Sequence, residues 1–182
     1  LPGRDAGQPA QLGLIETNDA GQTWASLSLS GEADLHAISY AHDQVYGWDA
    51  GSGRFMVSAD GLAWDNRSTT DLYSFAVDPA DADHILAAGP QGLVESADGG
   101  RVWLPTSGPS LVALSWHRTF GLWGLDAAGT VYQSLGADWL PVGRLAAVPQ
   151  VLLATADGLY AAVEERSDGV TSIYRSADGE EW

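Results

Sequence analysis

The 182-residue chain is 45% hydrophobic, with 8 Trp and 6 Tyr, enough to bury a sizeable core. Its 24 acidic residues outnumber 8 basic ones, all Arg, for a formal net charge of -16; nucleic acid and anionic membranes, which need clustered Lys or Arg, are disfavoured as partners. The lack of Cys excludes disulfides, thiolate metal sites and cysteine nucleophiles, and no apolar run approaches the roughly 18 residues that insert directly into a bilayer.

The sequence opens Leu1-Pro-Gly-Arg-Asp, without the charged and apolar regions of an export signal, so any such signal is expected to lie outside this segment. The first organised stretch, 11–30, reads as half a blade: a strand from Gln11 to Glu16, then Thr17-Asn-Asp-Ala-Gly-Gln-Thr-Trp24. The same device returns as Ser58-Ala-Asp-Gly-Leu-Ala-Trp64, Ser96-Ala-Asp-Gly-Gly-Arg-Val-Trp103 and Ser176-Ala-Asp-Gly-Glu-Glu-Trp182. A decayed fifth copy, Ser134-Leu-Gly-Ala-Asp-Trp139, keeps the Ser and Trp but misplaces the acid. The five Trp recur at intervals of 36 to 43 residues, which suits four short strands per unit.

Each copy reads as a turn between two strands. The hydroxyls of Thr17, Ser58, Ser96 and Ser176 and the carboxylates of Asp19, Asp60, Asp98 and Asp178 are expected to bond the turn's own amides. Gly21, Gly61, Gly99 and Gly179 supply the positive φ, and Trp24, Trp64, Trp103 and Trp182 anchor the hairpin by packing under a neighbouring sheet. Between the boxes lie three further strands per unit, for example Leu35 to Tyr40, Gln44 to Trp48 and Arg54 to Ser58, separated by turns such as Asp78-Pro-Ala-Asp-Ala-Asp83. The expected fold is therefore an all-β propeller of four-stranded antiparallel blades. Residues 1–182 make a single propeller segment, with blades at 31–70, 71–108 and 109–145 and an incomplete blade at 146–182. About four and a half blades imply a longer chain closing a ring of six to eight. A β-sandwich is the competing architecture, but it has no reason to repeat a Trp-anchored turn at this interval.

The boxes resemble the BNR/Asp-box superfamily, which includes sialidases, xyloglucan-cleaving propellers, sortilin-type receptor ectodomains and photosystem II assembly factors of the Ycf48 type. Two stretches, Gly31-Glu-Ala-Asp-Leu-His-Ala37 with Val45-Tyr-Gly-Trp-Asp49, and Phe75 to Ala87, are similar to secreted or lipid-anchored actinobacterial proteins labelled sialidase-like glycosyl hydrolases. The resemblance implies an extracytoplasmic location. It also supplies a test of the sialidase label, because such enzymes hold substrate with three arginines, one in a Phe/Tyr-Arg-Ile-Pro motif, and attack with a Tyr-Glu pair. That motif is absent, and Tyr174-Arg175 runs into a box and reads as strand.

Propeller geometry puts the box turns on one face, and the links between blades and between second and third strands on the other. Ligands are expected at the second face, with His36, Trp48, Asp49, Tyr73 and Asp126 as candidates, together with 49–53, 126–129 and 164–169. No catalytic residue is assigned. Asp34, Asp49, Asp71 and Asp126 are eligible as an acid and base pair, Asp34 and Asp71 foremost, although in a chain with 17 Asp each also reads as a turn former. His36 could be a channel ligand or a histidine packed between blades; no two His share a metal-ligand spacing, so no metal is expected. Trp48, Trp116 and Trp123 could stack sugars or fill inter-blade core. No nucleotide motif or cofactor signature occurs. The function expected is that of an exported, non-catalytic scaffold binding a protein or glycan partner opposite the boxes. The alternatives are a glycoside hydrolase completed by residues outside this segment and an assembly factor for a membrane complex.

Overall fold

The structure is a computed structural model that describes residues 9–164 and 170–182. Among them the secondary structure is entirely β, in seventeen strands. The chain divides into two compact units, Leu1–Asp71 and Leu72–Trp182. The first holds a two-stranded sheet, β1 (Leu14–Glu16) and β2 (Ala25–Ser28), and a four-stranded sheet, β3 (Leu35–Ala41), β4 (Gln44–Asp49), β5 (Arg54–Ser58) and β6 (Asp65–Thr69). The second begins with the sheet of β7 (Ser74–Asp78), β8 (Asp81–Gly89), β9 (Gly92–Ser96) and β10 (Leu104–Pro105). It continues with β11 (Leu111–His117), β12 (Gly121–Asp126), β13 (Thr130–Leu135) and β14 (Asp138–Arg144), and then with β15 (Val148–Thr155), β16 (Gly158–Glu164) and β17 (Thr171–Ser176). Within each sheet, every strand pairs antiparallel with the strands next to it in sequence, the meander of a β-propeller blade.

The boxes make the turn between β1 and β2 and the turns that follow the third strand of the later sheets, and their hydrogen bonds explain why they recur. In each, the Ser or Thr hydroxyl accepts a glycine amide: Gly21 to Thr17 at 2.9 Å, and Gly61 to Ser58, Gly100 to Ser96 and Gly179 to Ser176 at 2.8 Å. The same hydroxyl donates to the box carboxylate, which in turn accepts the amides beyond it, such as those of Leu62 and Ala63 on Asp60 and of Arg101 and Val102 on Asp98. The boxes come in two lengths. Seven-residue boxes place one left-handed residue at the turn, Gly61 (φ 73°) or Gly179 (φ 87°). Eight-residue boxes place two in succession, Gly99 and Gly100 in one, but Ala20 (φ 59°) and Gly21 (φ 85°) in the other. The decayed copy is a tight turn of a different kind, in which Leu135 pairs with Asp138 and Ser134 donates to the Gly136 carbonyl.

Two of the boxes seat on the sheet before them within their own unit. In the first unit the Ser28 hydroxyl donates to the Gly61 carbonyl at 2.6 Å and accepts the Trp64 indole N–H at 3.0 Å, stitching β2 to the box between β5 and β6. In the second unit a Cβ on Gly143 of β14 would lie 2.0 Å from the Gly179 carbonyl, and one on Gly179 2.7 Å from the Trp123 ring, so the last box rests directly on β12 and β14. Trp139 of the decayed box lies against Gly108 and Gly124, filling space that a side chain there would need. Box tryptophans are not uniformly buried: Trp24 is half exposed, while Trp64, Trp103 and Trp182 are partly buried.

Two apolar clusters hold the second unit together. Leu86, Leu93, Leu111, Leu114 and Leu122 pack between its first two sheets, and Trp123, Leu125, Val131, Leu152, Leu159 and Val163 between its last two. The first strands β7, β11 and β15 lie side by side and are tied by one bond of identical design at each step: the Leu114 amide donates to Ser74 Oγ (3.0 Å) and the Ala154 amide to Ser115 Oγ (2.9 Å).

Replacing Trp123 by Ala, which removes a ring 2% exposed and stacked on Phe120, is expected to cost about 3–5 kcal/mol in denaturant unfolding. Ala20→Gly is expected to act the other way. It relieves a left-handed alanine and should stabilise the protein by about 1 kcal/mol, read as a higher melting temperature.

Candidate functional site

The links opposite the boxes are built by side chains that close short loops. In the first unit, Asp49 ends β4 and is 1% exposed. Its carboxylate accepts the amides of Asp34 (2.9 Å) and Gly51 (3.1 Å), the Ser52 hydroxyl and the Arg54 guanidinium (2.9 Å). Burial works to raise its pKa, but the hydrogen bonds from Ser52, the Asp34 amide and Arg54 outweigh that and hold it below the ordinary carboxylate value. Arg54 also donates to the Glu32 carbonyl at 3.1 Å, so the pair ties the loop entering β3 to the hairpin between β4 and β5.

His36 occupies a special position. Leu35 pairs with Asp49 and Ala37 with Trp48, which leaves His36 as the extra residue of a β-bulge. Its ring is turned outward and lies 3.3 Å from Asp34, with about half of each side chain or more in solvent. The bulge recurs near the start of β11, between Leu111 and Ala113, and of β15, between Pro149 and Val151, so Val112 and Gln150 are the positional counterparts of His36. Trp48 is buried, and its indole donates to the Thr70 carbonyl at 2.8 Å. Asp71 is exposed beyond β6.

In the second unit, Tyr73 is about half exposed, with its amide on the Ala88 carbonyl. Asp126 closes the hairpin between β12 and β13: one oxygen accepts the amides of Ala128 (2.9 Å) and Thr130 (2.8 Å), and the other the Tyr132 hydroxyl (3.2 Å). Burial, then the charge of Asp126, pushes the Tyr132 phenol up. Trp116 is partly buried, and Trp123, fully buried and stacked on Phe120, offers no open ring face of the kind that stacks on sugars. Glu164 ends β16 and is exposed; 165–169 lie outside the described residues.

The structure thus brings Asp34, His36 and Asp49 together at one end of β3 and β4, while Trp48 faces inward. Sequence reading missed Arg54, whose only signal is an Asp-x₄-Arg spacing across a Gly-rich turn, and the bulge, which leaves no mark in composition. It also missed a hydrogen-bonded echo of the boxes at Thr155 and Asp157, between β15 and β16. Among the described residues no group of three His, Cys, Asp or Glu side chains is arranged to hold a metal ion. A shallow groove of about 390 Å³ in the first unit, lined by Val57, Ala63, Trp64 and Arg67 among others, lies at the box end of its sheet and shares none of these residues.

No family model and no curated protein matches this sequence. Solved structures do match in fold. A GH74 enzyme from Niastella koreensis superimposes over 93% of this chain with a TM-score of 0.68 at 15% identity, and YCF48 bound to D1 peptide over 92% with 0.56 at 16%. The GH74 xyloglucanase of Xanthomonas campestris superimposes over 81% with 0.56 at 17%. The chain spans 33%, 60% and 30% of those three proteins respectively. At these identities the likeness is one of fold, that of the β-propeller.

Asp49→Ala is expected to lower stability by about 2–3 kcal/mol, because it leaves two amides and a guanidinium without their acceptor. The boxes predict an acid limit as well. Asp60 and Asp98 are held below the usual carboxylate range chiefly by turn amides, and Asp19, chiefly by the Thr23 hydroxyl, at about 2. Their contribution is complete above the unfolded value of about 3.9 and is lost as pH falls through the depressed values. Melting curves between pH 5 and 2 should therefore fall less steeply for Asp98→Asn than for the wild type.

Proposed function

We propose that this chain is a segment of an exported Asp-box propeller, similar to the actinobacterial sialidase-like proteins, that acts as a non-catalytic scaffold for a protein or glycan partner. The observation that carries the reading is the state of Asp49. A glycosidase acid must hold its proton at working pH, which takes a carboxyl whose pKa has been raised. Asp49 is the buried carboxylate of this end of the fold, and Arg54 and Ser52 keep it ionised and occupied. Asp126 is spent on its own turn. What remains at the surface is a set of contact-making groups: the Asp34–His36 pair on the first unit and the half-exposed Tyr73 on the second. An exposed aromatic and outward-turned polar groups on rigid strands suit recognition.

Fold likeness supports both binding and, as the second reading, hydrolysis. YCF48 has been solved with a peptide bound, and the GH74 proteins are glycoside hydrolases. In a hydrolase, Asp34 and Asp71 would be the acids contributed by this segment, with others supplied from outside it. The assembly-factor reading is the binding reading with a membrane complex as the partner. The extracytoplasmic location rests on the resemblance of 31–49 and 75–87 to exported proteins.

The test measures binding and turnover on the same preparation. Peptide and glycan arrays are expected to yield a partner whose affinity falls at least tenfold with His36→Ala, a loss of about 1.4 kcal/mol. Fluorogenic sialosides, β-glucosides and xyloglucan oligosaccharides are expected to remain intact. Turnover abolished by Asp34→Asn or Asp71→Asn would overturn the scaffold reading in favour of the hydrolase.

A further inference from the structure

Strands β7, β8 and β9 of the second unit bring three titratable side chains together. His84 of β8 lies between two carboxylates, with Nδ1 2.9 Å from Asp78 at the end of β7 and Nε2 2.6 Å from Glu95 on β9. Its ring also meets Trp116 of β11 edge-on, with centroids 5.2 Å apart and planes at 78°. The histidine therefore sits where the sheet of β7 to β10 packs on the sheet of β11 to β14.

Proton counting decides what this arrangement requires. A neutral imidazole has one N–H and one lone pair, so with an ionised carboxylate on each side its bare nitrogen would face an acceptor at hydrogen-bond distance. Both contacts are satisfied together when the ring carries two protons, and of the three groups the imidazole is the strongest base. Burial opposes charging the ring, but the hydrogen bonds and charges of Asp78 and Glu95 outweigh it and raise the pKa. Of the other charged groups on the surrounding elements, Asp83, next to His84 on β8, is exposed to solvent. Asp81 accepts the Asp83 amide, Asp98 the amides of its box, and Arg118 donates to the Pro79 carbonyl. His117 of β11 is engaged with Thr119.

We propose that Asp78, His84 and Glu95 form a proton-operated clasp: protonated His84 ties β7 to β9 across β8 and holds its ring against Trp116, and loss of the proton releases one of the two carboxylates. The sign follows from linkage. A group whose pKa is higher in the folded than in the unfolded state contributes fully below the unfolded value of about 6.5 and is lost as pH rises through the folded value. The junction between these two sheets is thus tightest in mild acid and loosens toward alkali, the reverse of the response of the boxes.

The experiment follows the ring nitrogens of histidine-labelled protein by NMR, with His84→Gln identifying the signals, alongside melting curves over the same pH range. Glu95→Gln is the informative variant, because its amide can donate to Nε2 and so removes the need for the second proton. His84 is expected to remain doubly protonated above pH 6.5, and wild-type Tm to fall by about 2–4 °C as the ring deprotonates. In Glu95→Gln the midpoint should drop and that fall should disappear. A His84 already in a single neutral tautomer at pH 6.5, or a pH profile of Tm unchanged by Glu95→Gln, would overturn the clasp.

Discussion

The structure depends on a turn that satisfies itself. A chain reversing between two strands leaves amides that no ladder can take, and water or another segment must then accept them. In the boxes the acceptors are the turn's own hydroxyl and carboxylate: Ser96 takes the Gly100 amide, and Asp98 those of Arg101 and Val102. Because these demands are met within a few residues, the outer surface of the turn is free to lie on the preceding sheet, as the Gly179 box does on Gly143 and Trp123. Local satisfaction and blade-to-blade seating are therefore two results of one arrangement. The tryptophan at the end of the box contributes area and, at Trp64, an N–H that reaches the neighbouring sheet through Ser28.

The loops at the opposite end solve the same problem by other means. There the closing groups are buried or shared between strands, as when Asp49 gathers the amides of Asp34 and Gly51 together with Arg54. A carboxylate used in this way is held in place and kept charged at neutral pH, which suits it to shaping a surface and unsuits it to serving as a general acid. The bulge at His36 adds a local means of turning one side chain out of the regular alternation of its strand.

How much of this is legible in the sequence follows from the range of each interaction. The fold class is legible because the hydroxyl and carboxylate of each box find their turn amides within about four residues and the boxes repeat at blade spacing. The strands are legible for a similar reason, since alternation and glycine-bounded runs mark them locally. Ser74 and Ser115 are invisible by the same logic: each looks like an ordinary strand serine, and its partner amide lies 39 or 40 residues away. Of the residues at the loop end, Asp49 can be singled out from its turn context, but not its burial, which depends on Arg54 folding back over it. Trp48 reads from its context as core more readily than as a stacking platform, and in the fold its buried indole donates to the Thr70 carbonyl.

The two box lengths have a consequence for how such a chain can vary. An eight-residue box absorbs its additional residue as a second left-handed step, Gly99 before Gly100, while the serine and aspartate keep the same relation to the amides that follow. The strands on either side do not register the change. A one-residue insertion or deletion, which inside a strand would invert every side chain from core to solvent, is neutralised at this point of each blade. Copies of the repeat can therefore drift in length, and diverge in the residues between Asp and Trp, without losing phase with the sheets they join.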